Sequence, residues 1–360
     1  MTLPFKAFHE SRGARFEDDG AIERLAIYKG LEAEYEALHG ACAIFDLSDR
    51  GRLEVAGPDR VRFLNSQVSN DLGGLVSGRG IQAAVLNRQS KVQALLWLFA
   101  FEDHLLIDLE PGLAGPLAER LAKYRVADRV EFASTRDGHT LFSIQGPKAH
   151  ETAASALGAP LPALDLGAHV QLHWRGHAVS VLSVPRTSRG GLDLAIPRDA
   201  GADLWEAFVQ AGAVPAGWLA LETGRIEAGL PRYGADVTAE HLLAEAGVPE
   251  AVSYSKGCYI GQEVVARVKS RGHVNRLRTG LVSDGPAFPS DPVFDGSQML
   301  GGVTSAAWSP QLGRHLAMAV LRQPAASRPG TACVIRGKDG PVSGVVTSLP
   351  FLPENFERLR

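Results

Sequence analysis

Leu31, Tyr35 and Leu38 fall at spacings of four and three, which puts them on one face of a helix, and Gly40 is placed to stop it. Gly51-Arg52-Leu53-Glu54-Val55-Ala56 then alternates as a half-buried strand does. It runs into Gly57-Pro58-Asp59 and a second helical pattern carried by Val61, Leu64 and Val68. Glycine permits a tight turn, and proline suits the first turn of a helix, where its missing N–H is not needed. The same order returns as the strand Leu141-Phe142-Ser143-Ile144-Gln145, then Gly146-Pro147, then a helix through Ala153, Ala154 and Leu157. The repetition points to a duplicated α+β module; the alternative is a chance coincidence of two common Gly-Pro turns.

Between and after these units the pattern keeps alternating strand and helix. Leu95-Leu96-Trp97-Leu98-Phe99-Ala100-Phe101 is an apolar run of strand length, and Leu105 to Leu109 follows closely enough to pair with it as a hairpin. Leu117, Leu121 and Tyr124 predict a helix, Leu192, Leu194 and Ile196 a strand, and Ala202 to Val209 another helix. Hairpin-length connections favour an α+β fold over a doubly wound parallel sheet. From Arg276 to Phe351 the chain turns rich in Gly, Pro and Ser with short apolar runs, which predicts a small all-β barrel. The expected organisation is an α+β region over 1–272, made of two related subdomains that divide near 135–140, and a barrel over 273–360.

Composition narrows the function. With 45% hydrophobic and 21% charged residues the chain is of ordinary globular type, and a net charge of -3 gives no basic excess for nucleic acid. No run approaches the roughly 20 apolar residues of a membrane span. The three cysteines, Cys42, Cys258 and Cys333, are too few and too widely spaced for a disulfide framework or a zinc ribbon. With no signal core at the N-terminus, a cytoplasmic protein is expected.

Three segments carry candidate chemistry. In Lys256-Gly257-Cys258-Tyr259-Ile260-Gly261-Gln262-Glu263, two glycines bracket a thiol and a lysine stands two residues away. A thiolate favoured by that charge would act as nucleophile, redox centre or soft-metal ligand; the plainer reading is a packed cysteine. His273 is the one histidine near it in sequence, and no Cys–His pair is identified. In Arg225-Ile226-Glu227-Ala228-Gly229, Glu227 borders the inner stripe of a helix formed by Leu219, Thr223, Ile226 and Leu230. It either takes paired hydrogen bonds from a planar N–H edge or forms a surface salt bridge. Arg186-Thr187-Ser188-Arg189-Gly190-Gly191-Leu192-Asp193 is either an anion-binding loop or a solvated turn.

Together these segments resemble those of the folate-binding proteins of the YgfZ family, relatives of the glycine-cleavage T-protein. Ile44-Phe45-Asp46-Leu47-Ser48, Gly57-Pro58-Asp59, Ile144-Gln145-Gly146-Pro147, Arg186-Thr187 through Asp193, Arg225 to Gly229, Pro231-Arg232-Tyr233-Gly234 and Gly301-Gly302-Val303-Thr304-Ser305 all occur in the family's order. Lys256 to Glu263 is similar to the signature that separates YgfZ proteins from T-proteins. The resemblance implies two ferredoxin-like α+β subdomains and a C-terminal β-barrel around a site for tetrahydrofolate or a folate derivative. It implies that Glu227 recognises the pterin edge, with Arg225, Tyr233, Arg186, Asp193, Tyr259, Gln262 and Glu263 around the ligand. Cys258, helped by Lys256, is the expected reactive group. Iron–sulfur proteins or their assembly machinery are the implied partners, and maturation or repair of iron–sulfur enzymes the implied role. Two departures matter: Ala94 and Leu95 stand where aminomethyltransferases carry an acidic pair, and the Asp-x-Ser-His segment departs, with Asp49 following Ser48. Two alternatives stay open, an aminomethyltransferase with a relocated acid and a non-catalytic folate-binding scaffold.

Overall fold

The computed structural model describes residues 3–18, 22–136, 138–272 and 274–352; His273 lies outside them. The chain opens with helix α1 (Lys6–Glu10), the hairpin β1 (Arg15–Asp18) and β2 (Glu23–Ile27), helix α2 (Leu31–Gly40) and strand β3 (Ala43–Asp46). A first module follows: β4 (Gly51–Ala56), α3 (Arg60–Asn65), β5 (Arg79–Leu86), β6 (Val92–Ala100), β7 (His104–Leu109), α4 (Ala114–Tyr124) and β8 (Glu131–Ser134). A second repeats the order: β9 (His139–Gln145), α5 (Ala149–Leu157), β10 (His169–Trp174), β11 (His177–Ser183), β12 (Gly191–Pro197), α6 (Gly201–Gln210) and β13 (Val214–Pro215). The connection to the barrel contains α7 (Trp218–Glu227), α8 (Leu243–Ala246) and α9 (Gln262–Arg271). Strands β14 (Arg276–Ser283), β15 (Pro292–Asp295), β16 (Gln298–Ser309), β17 (Arg314–Arg322), β18 (Ala332–Gly337) and β19 (Gly340–Thr347) close the barrel in the order β14-β17-β16-β15-β18-β19.

The duplication is visible in the sheets. The first is ordered β5-β6-β7-β4-β8 and the second β10-β11-β12-β9-β3-β13. Corresponding strands take corresponding places, except that β3, from ahead of the first module, is inserted into the second sheet between β9 and β13. The two Gly-Pro turns match in detail. Gly57 and Gly146 both have positive φ, 103° and 126°, and a Cβ on either would collide with a carbonyl oxygen, of Arg129 at 2.2 Å and of Ala41 at 2.6 Å. Each turn therefore needs glycine for both its backbone conformation and its closeness to the chain. Helix α3 is shorter than the apolar spacing predicts: Val68 lies beyond its end and bridges to Val85 instead.

Each sheet buries one face under its own helices. Leu53, Val55, Val85, Ala94, Leu96 and Leu98 pack with Leu64, Leu117 and Leu121, while Ile144, Val181 and Leu194 pack with Ala153, Leu204 and Phe208. The opposite faces turn toward the centre, where Trp97 and Phe99 of β6 meet Leu182 and Val184. Helix α7 occupies that centre and is buried around nearly its whole circumference, with Leu221 against α2 and the second sheet and Ile226 against Leu316 and Met318 of the barrel. It is not the amphipathic surface helix that a single inner stripe implies.

Candidate functional site

A cavity with about 1030 Å³ of empty space, part of it open to solvent, lies between the inner faces of the modules and α7. Leu95, Leu96 and Trp97 of β6 line the cavity, while Ala94 packs in the helix-covered core. Gln82 of β5, Asp108 of β7 and Glu110 just beyond it complete that wall. The opposite wall is Trp218, Leu221, Glu222 and Arg225 of α7 with Arg232 and Tyr233. Leu47, Asp49 and Arg50 from the turn after β3, Arg24 of β2 and Arg186 form one end.

The charges form a connected network. Arg186 bridges Asp193 and Asp108, the latter at 2.9 Å. Asp108 accepts two parallel bonds from Arg50 at 2.8 and 2.9 Å, and Arg50 reaches Glu110 at 2.8 Å. Burial alone would raise the Asp108 pKa, but the attraction of Arg186 and Arg50 outweighs it and holds the group at about 2. Across the cavity Arg225 is bidentate to Glu222, at 2.8 and 2.6 Å, and reaches Asp236 at 2.7 Å. Its remaining contacts are Leu230 O and Ser305 Oγ of the barrel. Arg24 lies 3.9 Å from the Trp218 ring centroid and Arg232 5.1 Å from it, so one aromatic face adjoins two cations.

Of the residues expected to bind the ligand or react, Arg186, Arg225 and Tyr233 line the cavity and the others do not. Arg225 is committed to two carboxylates, a carbonyl and a hydroxyl, so its five N–H donors are taken up in tying α7 to the barrel rather than left for a ligand carboxylate. Tyr233 presents its ring to the cavity, and burial raises its pKa. Asp193 gives Oδ2 to Arg186, and its buried Oδ1 has no hydrogen-bond partner among the described residues.

Glu227 is fully buried outside the cavity. Its Oε1 accepts from Tyr35 and Ser309 hydroxyls, both at 2.5 Å, and His39 Nε2 stands 3.0 Å from Oε2. It joins α2, α7 and the barrel.

Lys256 is likewise bonded within the fold. Its ammonium donates to the carbonyls of Asn65, Val68 and Asn70 at 2.6–2.9 Å, which uses all three N–H groups. Burial lowers its pKa to about 8, so it remains largely protonated at neutral pH. Tyr259 is buried beneath it, 5.1 Å from the ammonium, with its pKa pushed up to about 12 by burial. Gln262 Nε2 reaches Gly257 O at 3.4 Å, and Glu263 pairs with Arg267 on the exposed face of α9. Cys258 is exposed; Cys42 and Cys333 are buried, and burial raises both to about 11. Thus the segment Lys256–Glu263 clamps the loop after α3 and displays one thiol outside the cavity.

Sequence reasoning missed most of the cavity wall. Asp108 carried a signal, a lone acid inside Leu105-Leu106-Ile107-Asp108-Leu109. Trp97 is part of an apolar run of strand length, and the pairing of Arg24 with Asp49 depends on a fold no local pattern specifies.

The sequence matches the GCVT N-terminal domain over residues 5–256 and the glycine cleavage T-protein C-terminal barrel domain over 276–352. Among similar proteins, an aminomethyltransferase of Frankia alni is 33% identical over 366 residues, covering 97% of each chain. An aminomethyltransferase of Rubrobacter xylanophilus is 30% identical over 351 residues, covering 97% of this chain and 93% of that one. The crystal structure of glycine cleavage system aminomethyltransferase T from Bartonella henselae has the same fold, with a TM-score of 0.91 over 99% of both chains at 23% identity.

Proposed function

The chain belongs to the glycine cleavage T-protein family, and we propose that its central cavity binds a reduced folate. The observation that carries this reading is the cavity's chemistry: flat aromatic walls from Trp97, Trp218 and Tyr233, with carboxylates and guanidiniums set among them. A pterin is a flat heterocycle with N–H donors along one edge, and a folate tail is anionic. Stacking on aromatic walls with a few placed polar groups is how such a ligand is held in a concave site. Arg232, beside Trp218, is the cation best placed for the tail. When bound, a reduced folate supplies the amines that carry a one-carbon unit.

The relatives favour one-carbon transfer of the aminomethyltransferase type as the chemistry. Such transfer needs an acid other than the one missing from β6, because Leu95 offers the cavity no ionisable group. A second reading is favoured by that apolar wall and by the exposed Cys258. In it the protein resembles the YgfZ type, binds folate without aminomethyl transfer, and supports iron–sulfur enzymes through the thiol. Two assays on the same preparation separate the readings. Methylenetetrahydrofolate formed from a lipoyl-borne aminomethyl donor, at turnover within about 1–1000 per second, supports the first and removes the second. No turnover, together with failure of Cys258→Ser to restore iron–sulfur enzyme activity at normal protein abundance, supports the second.

A further inference from the structure

Asp49 ends the turn that leaves β3. The turn is fixed: Asp46 Oδ1 accepts the Ser48 N–H at 2.9 Å and the Ser48 hydroxyl, and the Arg50 N–H closes on Leu47 O at 3.0 Å. Asp46 is held from behind by His9, whose Nε2 lies 3.0 Å from Oδ2 and whose Nδ1 meets the Tyr28 hydroxyl. The turn thereby sets Asp49, only 4% exposed, into the wall of the central cavity and of a smaller neighbouring cavity that shares Arg24, Leu47, Trp218 and Leu221.

For its burial Asp49 is the least satisfied carboxylate of the central cavity. Asp108 accepts three guanidinium N–H bonds, and Glu222 holds Arg225 with both oxygens. Glu110 is more exposed and has a contact of 2.8 Å from Arg50, and Glu250 is exposed at the rim. Among the described residues Asp49 accepts one hydrogen bond, from Arg24 Nη1 at 3.1 Å, whereas a carboxylate offers about four acceptor sites. The charged groups acting on it are Arg24 on β2, Asp46 on β3, its neighbour Arg50, and Glu110 after β7. Glu222 and Arg225 of α7, with Arg232, face it across the same cavity. Burial, opposed by Arg24 and reinforced by Asp46, raises Asp49 to about 6.

We propose that Asp49 is the ligand-facing carboxylate of the central cavity, accepting the amino and N–H edge of the bound heterocycle while Arg24 and the turn hold it in place. The ligand class is a flat nitrogen heterocycle with neighbouring N–H donors in a guanidine-like arrangement, which a carboxylate takes through paired, charge-assisted bonds. Arg24, stacked on Trp218, keeps the acid oriented and extends the flat wall against which the ring lies. The inference rests on the folate reading and adds to it the residue that recognises the ring.

The test is titration of a reduced folate onto the full chain, as wild type, Asp49→Asn and Asp49→Glu, between about pH 5 and 8. Wild-type affinity is expected to fall as pH drops through about 6, because protonation removes the acceptor. At pH 7.5 Asp49→Asn should bind about 10- to 100-fold more weakly, the scale of a hydrogen bond to a charged group. It should also lose the step near pH 6. Asp49→Glu, which restores the charge, should recover part of the affinity and keep a step. Asparagine has nearly the shape of aspartate and removes a buried charge, so the variant should melt no lower than wild type; should it not fold, the Glu variant decides by whether its step moves. An Asp49→Asn protein with wild-type affinity and an unchanged pH step overturns this inference and leaves the folate reading standing. No binding by wild type overturns both.

Discussion

Glu227 and Lys256 have the same lesson in them: a polar residue in a distinctive motif is busy before any ligand arrives. Glu227 joins three parts of the fold through Tyr35, His39 and Ser309. Glu227→Ala leaves those partners buried without an acceptor, and its expected effect is a stability loss of about 3–5 kcal/mol, read from chemical denaturation. Folate affinity of the fraction that folds should be unchanged; a large affinity loss at unchanged stability would return Glu227 to the ligand. Lys256→Ala exposes three carbonyls to an unsatisfied state and should cost about 1–3 kcal/mol by the same measurement. Cys258 should be alkylated in the native protein well before Cys42 and Cys333, which are buried and held at about 11; mass mapping of a timed reaction reads this directly. The motifs were legible in the sequence because their residues are unusual, but their duties were not. Which neighbour uses up an ion's hydrogen bonds depends on segments more than a hundred residues away, as Lys256 with Asn65 illustrates.

At the level of elements, period and turn chemistry carried far. The alternation of Gly51 to Ala56, the Gly-Pro turns and the helical spacing in Leu31 to Leu38 all mark elements that form where they are expected. Those signals are local, set by side-chain period and by glycine's access to positive φ. Helix α7 defeated the same reasoning. Its apolar spacing suggests one buried stripe, yet it is enclosed by β2, α2 and the barrel. Close approach is built into its start: a Cβ on Gly217 would lie 2.2 Å from Ala26 O. Gly217→Ala must therefore move backbone, and a loss of about 1–3 kcal/mol in denaturant unfolding is expected. Because α7 carries Trp218 and Glu222, reduced folate binding should accompany it. A variant as stable as wild type would mean that the helix tolerates a shift against β2.

Over the whole molecule, apolar contacts are supplemented by buried ion pairs such as Arg186 of the second module with Asp108 of the first, so stability should depend on acid. Asp108 is held at about 2, below its ordinary value of 3.8, by Arg186 and Arg50 against the cost of burial. Its contribution is present above 3.8 and is lost as pH falls through about 2. The shift corresponds to about 2 kcal/mol. Asp108→Asn should therefore be destabilised at pH 7, with its deficit relative to wild type shrinking between about pH 4 and 2 in urea titrations. A deficit independent of pH would mean that Asp108 works through packing rather than charge. The two-module-plus-barrel plan was legible from repeated turns and a change in composition. The cavity was not, because its walls come from eight separated stretches of chain, and only the assembled fold brings Trp97 and Trp218 to one cavity.

The central claim is that this cavity takes a reduced folate, and a crystal grown with 5-formyltetrahydrofolate tests it most directly. The account predicts the pterin ring between the Trp97 and Trp218 walls, its N–H edge at Asp49, and its tail toward Arg232. A ring seated elsewhere, or a cavity still empty at saturating ligand, would contradict it.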